Sequence, residues 1–126
     1  MITSEDYFGR LSHITQPDET VRANAAILLA RVNALLASLG AKPGVNSGWR
    51  SAAYNATVPN AAPRSKHITG QAIDLADPEG ELDEYLLAHQ DVLAAHELWL
   101  EHPAATKGWC HLQSVPPRSG NRVFFP

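Results

Sequence analysis

One apolar stripe near the N-terminus constrains the fold more than any other feature of the sequence. Asp18 offers a side-chain oxygen that caps a helix, Glu19 suits the positive end of the helix dipole, and Gly40 is a typical C-terminal stop. The pattern predicts a helix from Asp18 to Leu39 that carries the main support of the core. Its apolar positions, which recur at helical spacing, are Val21, Ala25, Leu28, Leu29, Val32, Leu35, Leu36 and Leu39.

Short segments with strand character follow later in the chain. A second helical region is predicted from Glu81 to about Ala95, with a break near Gln90. Helices come first and strands later, without the alternation of a doubly wound protein. We therefore predict an α+β fold in which a small antiparallel sheet packs against helices. The predicted strands are Gln71–Leu75, Leu98–Glu101, Trp109–Gln113 and Val123–Phe125, the last two joined by a turn at Pro116–Asn121.

Length and composition limit the class of protein. The 126 residues suffice for a single domain, 1–126, with one modest core. The net charge of −3 gives no electrostatic reason to expect nucleic acid as a partner. The single cysteine, Cys110, excludes an internal disulfide and a cysteine-rich zinc site, and we expect it to be a small buried side chain rather than a nucleophile. Nothing indicates an oligomer, so a monomer is the default expectation.

The N-terminal residues and the apolar stretches bear on location. Met1–Arg10 lacks the basic start and apolar run of a signal peptide. The stretch Ala25–Leu39 is interrupted by Arg31 and Asn33, so we expect it to be too short and too polar to span a bilayer. These features predict a protein that is made in the cytoplasm and is not inserted in a membrane.

The segment from Ser65 to Asp74 carries the first sign of chemistry. His67 ends a polar loop, and Asp74 lies on a predicted short strand, facing away from the apolar side chains of that strand. Gly70 permits a sharp bend between them. Such a bend would bring the imidazole and the carboxylate to the same side.

A second histidine lies far downstream, on the predicted strand Trp109–Gln113. Alternation places Trp109, His111 and Gln113 on one face of that strand and Cys110 on the other. Two histidines and one aspartate that share a cleft give three ligands and leave a position for water, the pattern of catalytic zinc. Spacing alone leaves open the alternative that His111 is a hydrogen-bonded core histidine.

Several short motifs resemble a known enzyme family. They are SGWRS at Ser47–Ser51, Tyr54–Asn55, S-x-H-x-x-G-x-A-x-D at Ser65–Asp74, and an aromatic-x-H strand at Trp109–His111. Together they cover about half of the chain and resemble the D-Ala-D-Ala carboxypeptidase-like zinc metallopeptidases, which share the hedgehog/DD-peptidase fold. The C-terminal stretch Trp109–Pro126 is similar to a phage-encoded branch of that family.

The resemblance implies a role for each matching residue. Zinc is the implied cofactor, with His67, Asp74 and His111 as its ligands. Arg50 matches the arginine that steadies the substrate carbonyl or carboxylate, a role that suits its planar fork of donors. Ser65 matches a serine that hydrogen-bonds the substrate. The aromatic side chains expected at the substrate cleft are Trp49, Tyr54 and Trp109, although core packing explains the first two equally well.

One position departs from the family pattern. Many relatives place the general base three to five residues before the last zinc-binding histidine, where this chain has Thr106, Lys107 and Gly108. The nearest upstream candidates for a catalytic base are Glu101 and His102, followed by Glu97 and His96. We favour Glu101, because it ends a predicted strand that could pair beside the strand of the last histidine. The alternative is that Glu101 is a solvated strand end.

The resemblance implies zinc-dependent hydrolysis of the stem peptides of bacterial peptidoglycan, by an endopeptidase or a D,D-carboxypeptidase. We favour an endopeptidase, because phage relatives commonly serve lysis. Such a protein acts at the cell wall after release, or as part of a virion. Two other interpretations stay open. One is a non-catalytic zinc-binding module for cell-wall recognition or virion structure, favoured by the missing base, and the other is a metal-free cytosolic protein without a link to the wall.

Overall fold

The computed structural model of the chain describes residues 1–9 and 16–126. Leu11 and His13, for which the sequence suggests a packed and a surface position, lie outside these residues. The helices of the described part are α1 (Ser4–Phe8), α2 (Glu19–Leu39), α3 (Ala52–Asn55), α4 (Glu81–Ala88) and α5 (Gln90–Ala95). Its strands are β1 (Val45–Ser47), β2 (Ala72–Asp77), β3 (Trp99–Glu101), β4 (Gly108–Gln113) and β5 (Val123–Phe124).

The five strands form one sheet in the order β1-β2-β4-β3-β5. All neighbouring pairs are antiparallel except β3 and β5, which run parallel. This arrangement confirms the predicted α+β class with a mostly antiparallel sheet. The expected turn between the last two strands does not close a hairpin, because β3 already occupies the free edge of β4. The chain therefore passes on to the outer edge of β3, where Val123 pairs with Leu100.

Helix α2 begins and ends where its capping residues predict. The Asp18 side chain accepts a hydrogen bond of 2.8 Å from the backbone N–H of Val21, which satisfies one of the free donors at the helix start. Gly40 adopts a left-handed conformation with φ of 65°, which is accessible to glycine at little cost. The helix buries its apolar stripe against the sheet, and its buried side chains are Ala25, Leu28, Leu29, Val32, Leu35 and Leu36.

The same helix corrects one expectation from the sequence. By length and composition alone, the 21 residues of α2 would suffice to cross a membrane. The expectation of a segment too short to span a bilayer considered only Ala25–Leu39 and left out the first turns of the helix. In the fold, α2 has a different role, because its buried stripe is continuous with the core formed by Ile73, Leu75 and Leu112 of the sheet.

We predict that two adjacent positions on α2 differ sharply in their contribution to stability. Leu28 is 0% exposed and Ile27 is 49% exposed. The substitution Leu28→Ala should lower the free energy of unfolding by about 2–5 kcal/mol, because it removes buried methyl groups and leaves a cavity. The matched control Ile27→Ala should change it by less than about 0.5 kcal/mol. Urea denaturation measures both, and equal losses would contradict the packing described here.

Candidate metal centre

Three side chains that are far apart in the sequence converge on one face of the sheet. His67, Asp74 and His111 each offer one ligand atom, and these atoms lie within 4.8 Å of one another. The Nε2 atom of His67 is 3.2 Å from Oδ2 of Asp74, and Nδ1 of His111 is 2.7 Å from Oδ1 of the same carboxylate. All three residues are buried. The carboxylate therefore lies between two imidazole rings, each directing one nitrogen toward it.

Asp74 and His111 are brought together by the register of the sheet. Strands β2 and β4 are antiparallel neighbours, and their register pairs Asp74 with His111. Directly opposite residues of an antiparallel pair project to the same face of the sheet. The apolar residues that alternate with them, Ile73 and Leu112, belong to the hydrophobic core. The alternation of side chains along β2 and β4 thus directs Ile73 and Leu112 to the core face of the sheet and the two candidate ligands to the opposite face.

His67 reaches the site from a loop, and backbone contacts hold that loop in place. Its Nδ1 donates a 2.7 Å hydrogen bond to the Gly48 carbonyl, since a carbonyl oxygen only accepts. Its backbone N–H donates to the Ser65 hydroxyl, and its carbonyl accepts from the Arg50 backbone N–H. Gly70 follows with φ of 76° and approaches the Val21 carbonyl of α2 so closely that a Cβ would not fit. The loop has little freedom to turn the ring away.

The electrostatics of the cluster favour an ionised carboxylate. Burial alone would raise the pKa of Asp74, but hydrogen bonds and charge from His111 and His67 hold it well below its usual range. Burial alone would lower the pKa of His111, but the hydrogen bond to Asp74 and the charges of Asp74 and Glu101 raise it above its ordinary value. The two shifts favour a charged pair of imidazolium and carboxylate, beside the positive charge of the Arg50 guanidinium.

The donor set fits a divalent transition metal. The ring nitrogen of each histidine that faces away from Asp74 donates a hydrogen bond to an oxygen. The acceptor is the Gly48 carbonyl for Nδ1 of His67 and the side-chain oxygen of Gln113 for Nε2 of His111. Outer hydrogen bonds of this kind orient metal-binding histidines in known sites. Two imidazole nitrogens and one carboxylate make three protein ligands, the number found in catalytic zinc sites. Within the described ranges, this is the one such group of three.

Arg50 is held beside the cluster by a set of polar contacts. Its Nη2 atom lies 3.6 Å from Oδ2 of Asp74, its Nε donates to the Ser47 hydroxyl, and its Nη1 donates to the Asn55 side-chain oxygen. Asn55 is itself buried and donates to the Ala62 carbonyl at 2.8 Å. The guanidinium is therefore fixed in one orientation. Sequence reasoning noted Asn55 in a motif but did not assign it this supporting role.

Glu101 lies in line with the paired ligands. The register of β3 and β4 pairs Leu100 with Leu112, so that the next position along places Glu101 beside His111. Burial raises the pKa of Glu101, and the charge of His111 opposes that rise, which indicates that the two groups are near each other. Pairing of the Glu101 strand beside β4, which the sequence suggested, is confirmed.

His102 has a different environment. Its Nδ1 accepts a hydrogen bond from the backbone N–H of Ala104 and so caps a short 3₁₀ turn at Pro103–Ala105. Its ring stacks on Phe125 with the ring centroids 4.4 Å apart. One ring nitrogen is thus already engaged in local structure. The different surroundings of the two side chains favour Glu101 over His102 as the group that faces the cluster.

The aromatic residues proposed for the cleft have different positions. Trp49 is buried in the core against Phe8, and its indole N–H donates to the Ile68 carbonyl, so the core-packing alternative describes it. Tyr54 is 45% exposed and open to solvent on α3. Trp109 is half-buried on β4, two residues from His111 on the same face. Tyr54 and Trp109 remain predictions for substrate contact.

Ser65 and Cys110 also have defined surroundings. The Ser65 hydroxyl accepts from the His67 backbone N–H, so it supports the loop of a candidate ligand. Its proposed contact with substrate stays a prediction. Cys110 is completely buried, and burial raises the pKa of its thiol, as expected for a side chain that is not a nucleophile.

We predict that Gly48→Ala disturbs both stability and metal binding. A Cβ at this position would overlap the Tyr7 carbonyl oxygen, which accepts from the Trp49 backbone N–H. Either α1 or the Gly48 carbonyl must move, and the carbonyl is the acceptor for His67. Thermal unfolding and a Zn²⁺ titration should show a lower melting temperature and weaker binding. Gly44→Ala is the control, because no atom lies within 4 Å of its added Cβ; a similar loss there would contradict this reasoning.

We predict that metal affinity falls in acid. A metal ion must displace the proton that Asp74 stabilises on His111, whose pKa is raised, while the carboxylate stays ionised because its pKa is lowered. The apparent affinity for Zn²⁺ should therefore be highest above the pKa of His111 and drop by up to about tenfold per pH unit for each displaced proton below it. Titrations across the range of about pH 5 to 8 measure this. An affinity that is constant over that range would contradict it.

Comparison with known proteins agrees with the motifs and the geometry. The profile of the Peptidase M15 family matches residues 10–111, which includes the three candidate ligands. No individual curated protein and no solved structure matches the chain. The match spans most of the sequence, and the α+β fold with its mostly antiparallel sheet is consistent with it. The chain belongs to the Peptidase M15 family and is, at that level, a peptidase.

Proposed function

We propose that this chain is a zinc-dependent peptidase that cleaves the stem peptides of bacterial peptidoglycan. One observation carries the proposal: His67, Asp74 and His111 direct three ligand atoms to within 4.8 Å of one another, beside a fixed arginine and a partly buried glutamate. Membership of the Peptidase M15 family supports a reaction at a peptide bond. The dependence on zinc and the choice of peptidoglycan as substrate go beyond family membership and are part of the proposal.

In the proposed mechanism, His67, Asp74 and His111 would hold the ion. Bound zinc would supply a Lewis acid for the peptide carbonyl and lower the pKa of water. Asp74 contributes negative charge from the middle of β2, and each of its two oxygens lies beside one nitrogen of an imidazole. The remaining chemistry, proton transfer and stabilisation of charge on the substrate, falls to other side chains of the chain.

Glu101 is the proposed general base. Burial raises the pKa of its carboxylate, which brings it closer to the range in which a carboxylate both accepts a proton from water and returns it to the leaving amine. Its place in the row formed with Asp74 and His111 supports the role. A base on the neighbouring strand would replace the one that many relatives carry on the strand of the last histidine.

Arg50 is the proposed partner of the substrate oxygen. Its guanidinium is held by Ser47 and Asn55 and lies 3.6 Å from the Asp74 carboxylate. Because these contacts fix it before substrate arrives, its donors can stabilise developing negative charge without reorganising. Ser65, Tyr54 and Trp109 are the proposed substrate contacts around this core of the site.

Among the two reactions of the family, we propose the endopeptidase and a phage or prophage origin, on the C-terminal resemblance to phage-encoded members. The protein would be made in the cytoplasm and act at the cell wall after release, or as part of a virion. Mass spectrometry of digested peptidoglycan separates the two reactions. An endopeptidase opens cross-bridges, whereas a carboxypeptidase releases only terminal D-alanine.

The proposal is tested with purified peptidoglycan, with and without a chelator. Hydrolysis that stops on chelation and returns with Zn²⁺ would support the metallopeptidase. Zinc that is retained without any cleavage would instead support a non-catalytic wall-binding or virion module, which the residues at the usual base position favour. Carefully prepared protein that binds no zinc would contradict both.

We predict that Glu101→Gln lowers the hydrolysis rate by about 10²–10⁴-fold and leaves zinc content unchanged. The amide keeps the size of the side chain but does not accept a proton. Glu97→Gln is the matched control, because the side chain of Glu97 is 72% exposed and only pairs with Arg31 at 3.6 Å. His102→Ala should also have a small effect on rate. A rate unchanged in Glu101→Gln would exclude Glu101 as the base.

A further inference from the structure

We propose that Gln113 is a positioning residue that determines which nitrogen of His111 binds the metal. The inference deepens the proposed function and rests on it, since it assumes that the cluster holds zinc. It concerns a side chain that neither the sequence motifs nor the family match assigns to the site. Three contacts at the end of β4 carry the argument.

The first contact fixes the orientation of the Gln113 amide. Its Nε2 donates a 2.9 Å hydrogen bond to the Val115 carbonyl. A carbonyl oxygen has no proton to offer, so the amide nitrogen must be the atom on that side. The amide oxygen is then the atom that faces His111, at 3.1 Å from its Nε2. Gln113 is 4% exposed, so water does not compete for this arrangement.

The second contact fixes the proton on the imidazole. Because the amide oxygen only accepts, Nε2 of His111 must carry a proton and donate it. A neutral imidazole carries one N–H, so its lone pair is then on Nδ1. Nδ1 is the nitrogen that faces Asp74, at 2.7 Å. Gln113 therefore presents the lone pair of His111 toward the cluster.

In His67 the roles of the two ring nitrogens are exchanged. The Gly48 carbonyl accepts from Nδ1 of His67, which leaves the lone pair on Nε2, 3.2 Å from the Asp74 carboxylate. The two histidines thus use opposite nitrogens, and in each case a neutral oxygen acceptor makes the choice. Loss of such an outer partner weakens metal binding in known sites.

The third contact anchors the acceptor itself. The segment after β4 is held by the backbone N–H of Ser114, which donates to the Gln71 carbonyl, and by Arg31, which donates to the Ser114 carbonyl at 2.9 Å. The Val115 carbonyl that orients the amide is therefore part of a fixed backbone. The orientation of the Gln113 side chain is therefore fixed by the hydrogen bond to this backbone as well as by its own rotamer preference.

The test measures Zn²⁺ affinity by competition with a chromophoric chelator for the full chain and three variants. Gln113→Leu removes the acceptor at similar size and should weaken Zn²⁺ binding by about 10–100-fold. Gln113→Glu keeps an oxygen acceptor for His111 but loses the amide donor to the Val115 carbonyl, so its Zn²⁺ affinity should lie between those of wild type and Gln113→Leu. Gln71→Leu is the control, because that side chain accepts from Thr69 and contacts no candidate ligand; its affinity should not change.

A spectroscopic readout accompanies the titrations. In ¹⁵N-labelled, zinc-loaded wild-type protein, NMR should show His111 bound through Nδ1, with a slowly exchanging proton on Nε2. Equal Zn²⁺ affinity in wild type and Gln113→Leu, or coordination through Nε2 in the wild type, would overturn the inference while leaving the zinc site intact. Wild-type protein without Zn²⁺ affinity would overturn the inference and the proposed function together. The NMR result on wild type decides the point even if Gln113→Leu does not fold.

Discussion

The contact between Asp74 and His111 is the interaction on which the rest of the site depends. It places a carboxylate and an imidazole 2.7 Å apart in a buried position, where an unpaired charge would be very costly. The register of two central strands fixes this contact, so that it cannot be adjusted without shifting the core side chains that alternate with it. His67, Arg50 and Glu101 are arranged around this fixed pair.

Helix α1 supports the backbone around the site. Tyr7 of α1 accepts from the Trp49 backbone through its carbonyl and donates its hydroxyl to the Ala72 carbonyl, which ties α1 to the start of β2. The same close packing requires glycine at Gly48, whose carbonyl orients His67. The residues before the motifs therefore determine how precisely the loop ligand is directed at the strand ligands.

Much of this arrangement follows from local sequence signals, and the remainder depends on contacts that sequence does not display. The capped stripe of α2 and the alternation that puts His111 opposite the core are visible in the chain itself. The parallel pairing of β5 with β3 is not, because it depends on which sheet edge is free after β3 has paired. The outer acceptors were also missed: Gly48 acts through its backbone, and the role of Gln113 appears only once Val115 orients its amide.

The central claim is that one ion is held by three side chains on one face of the sheet. Anomalous diffraction at the zinc absorption edge, on crystals of protein loaded with Zn²⁺, tests it most directly. The account predicts one strong peak at about 2.0–2.2 Å from Nε2 of His67, Nδ1 of His111 and a carboxylate oxygen of Asp74. A zinc peak bound by other residues, or no peak among these three in loaded protein, would contradict it.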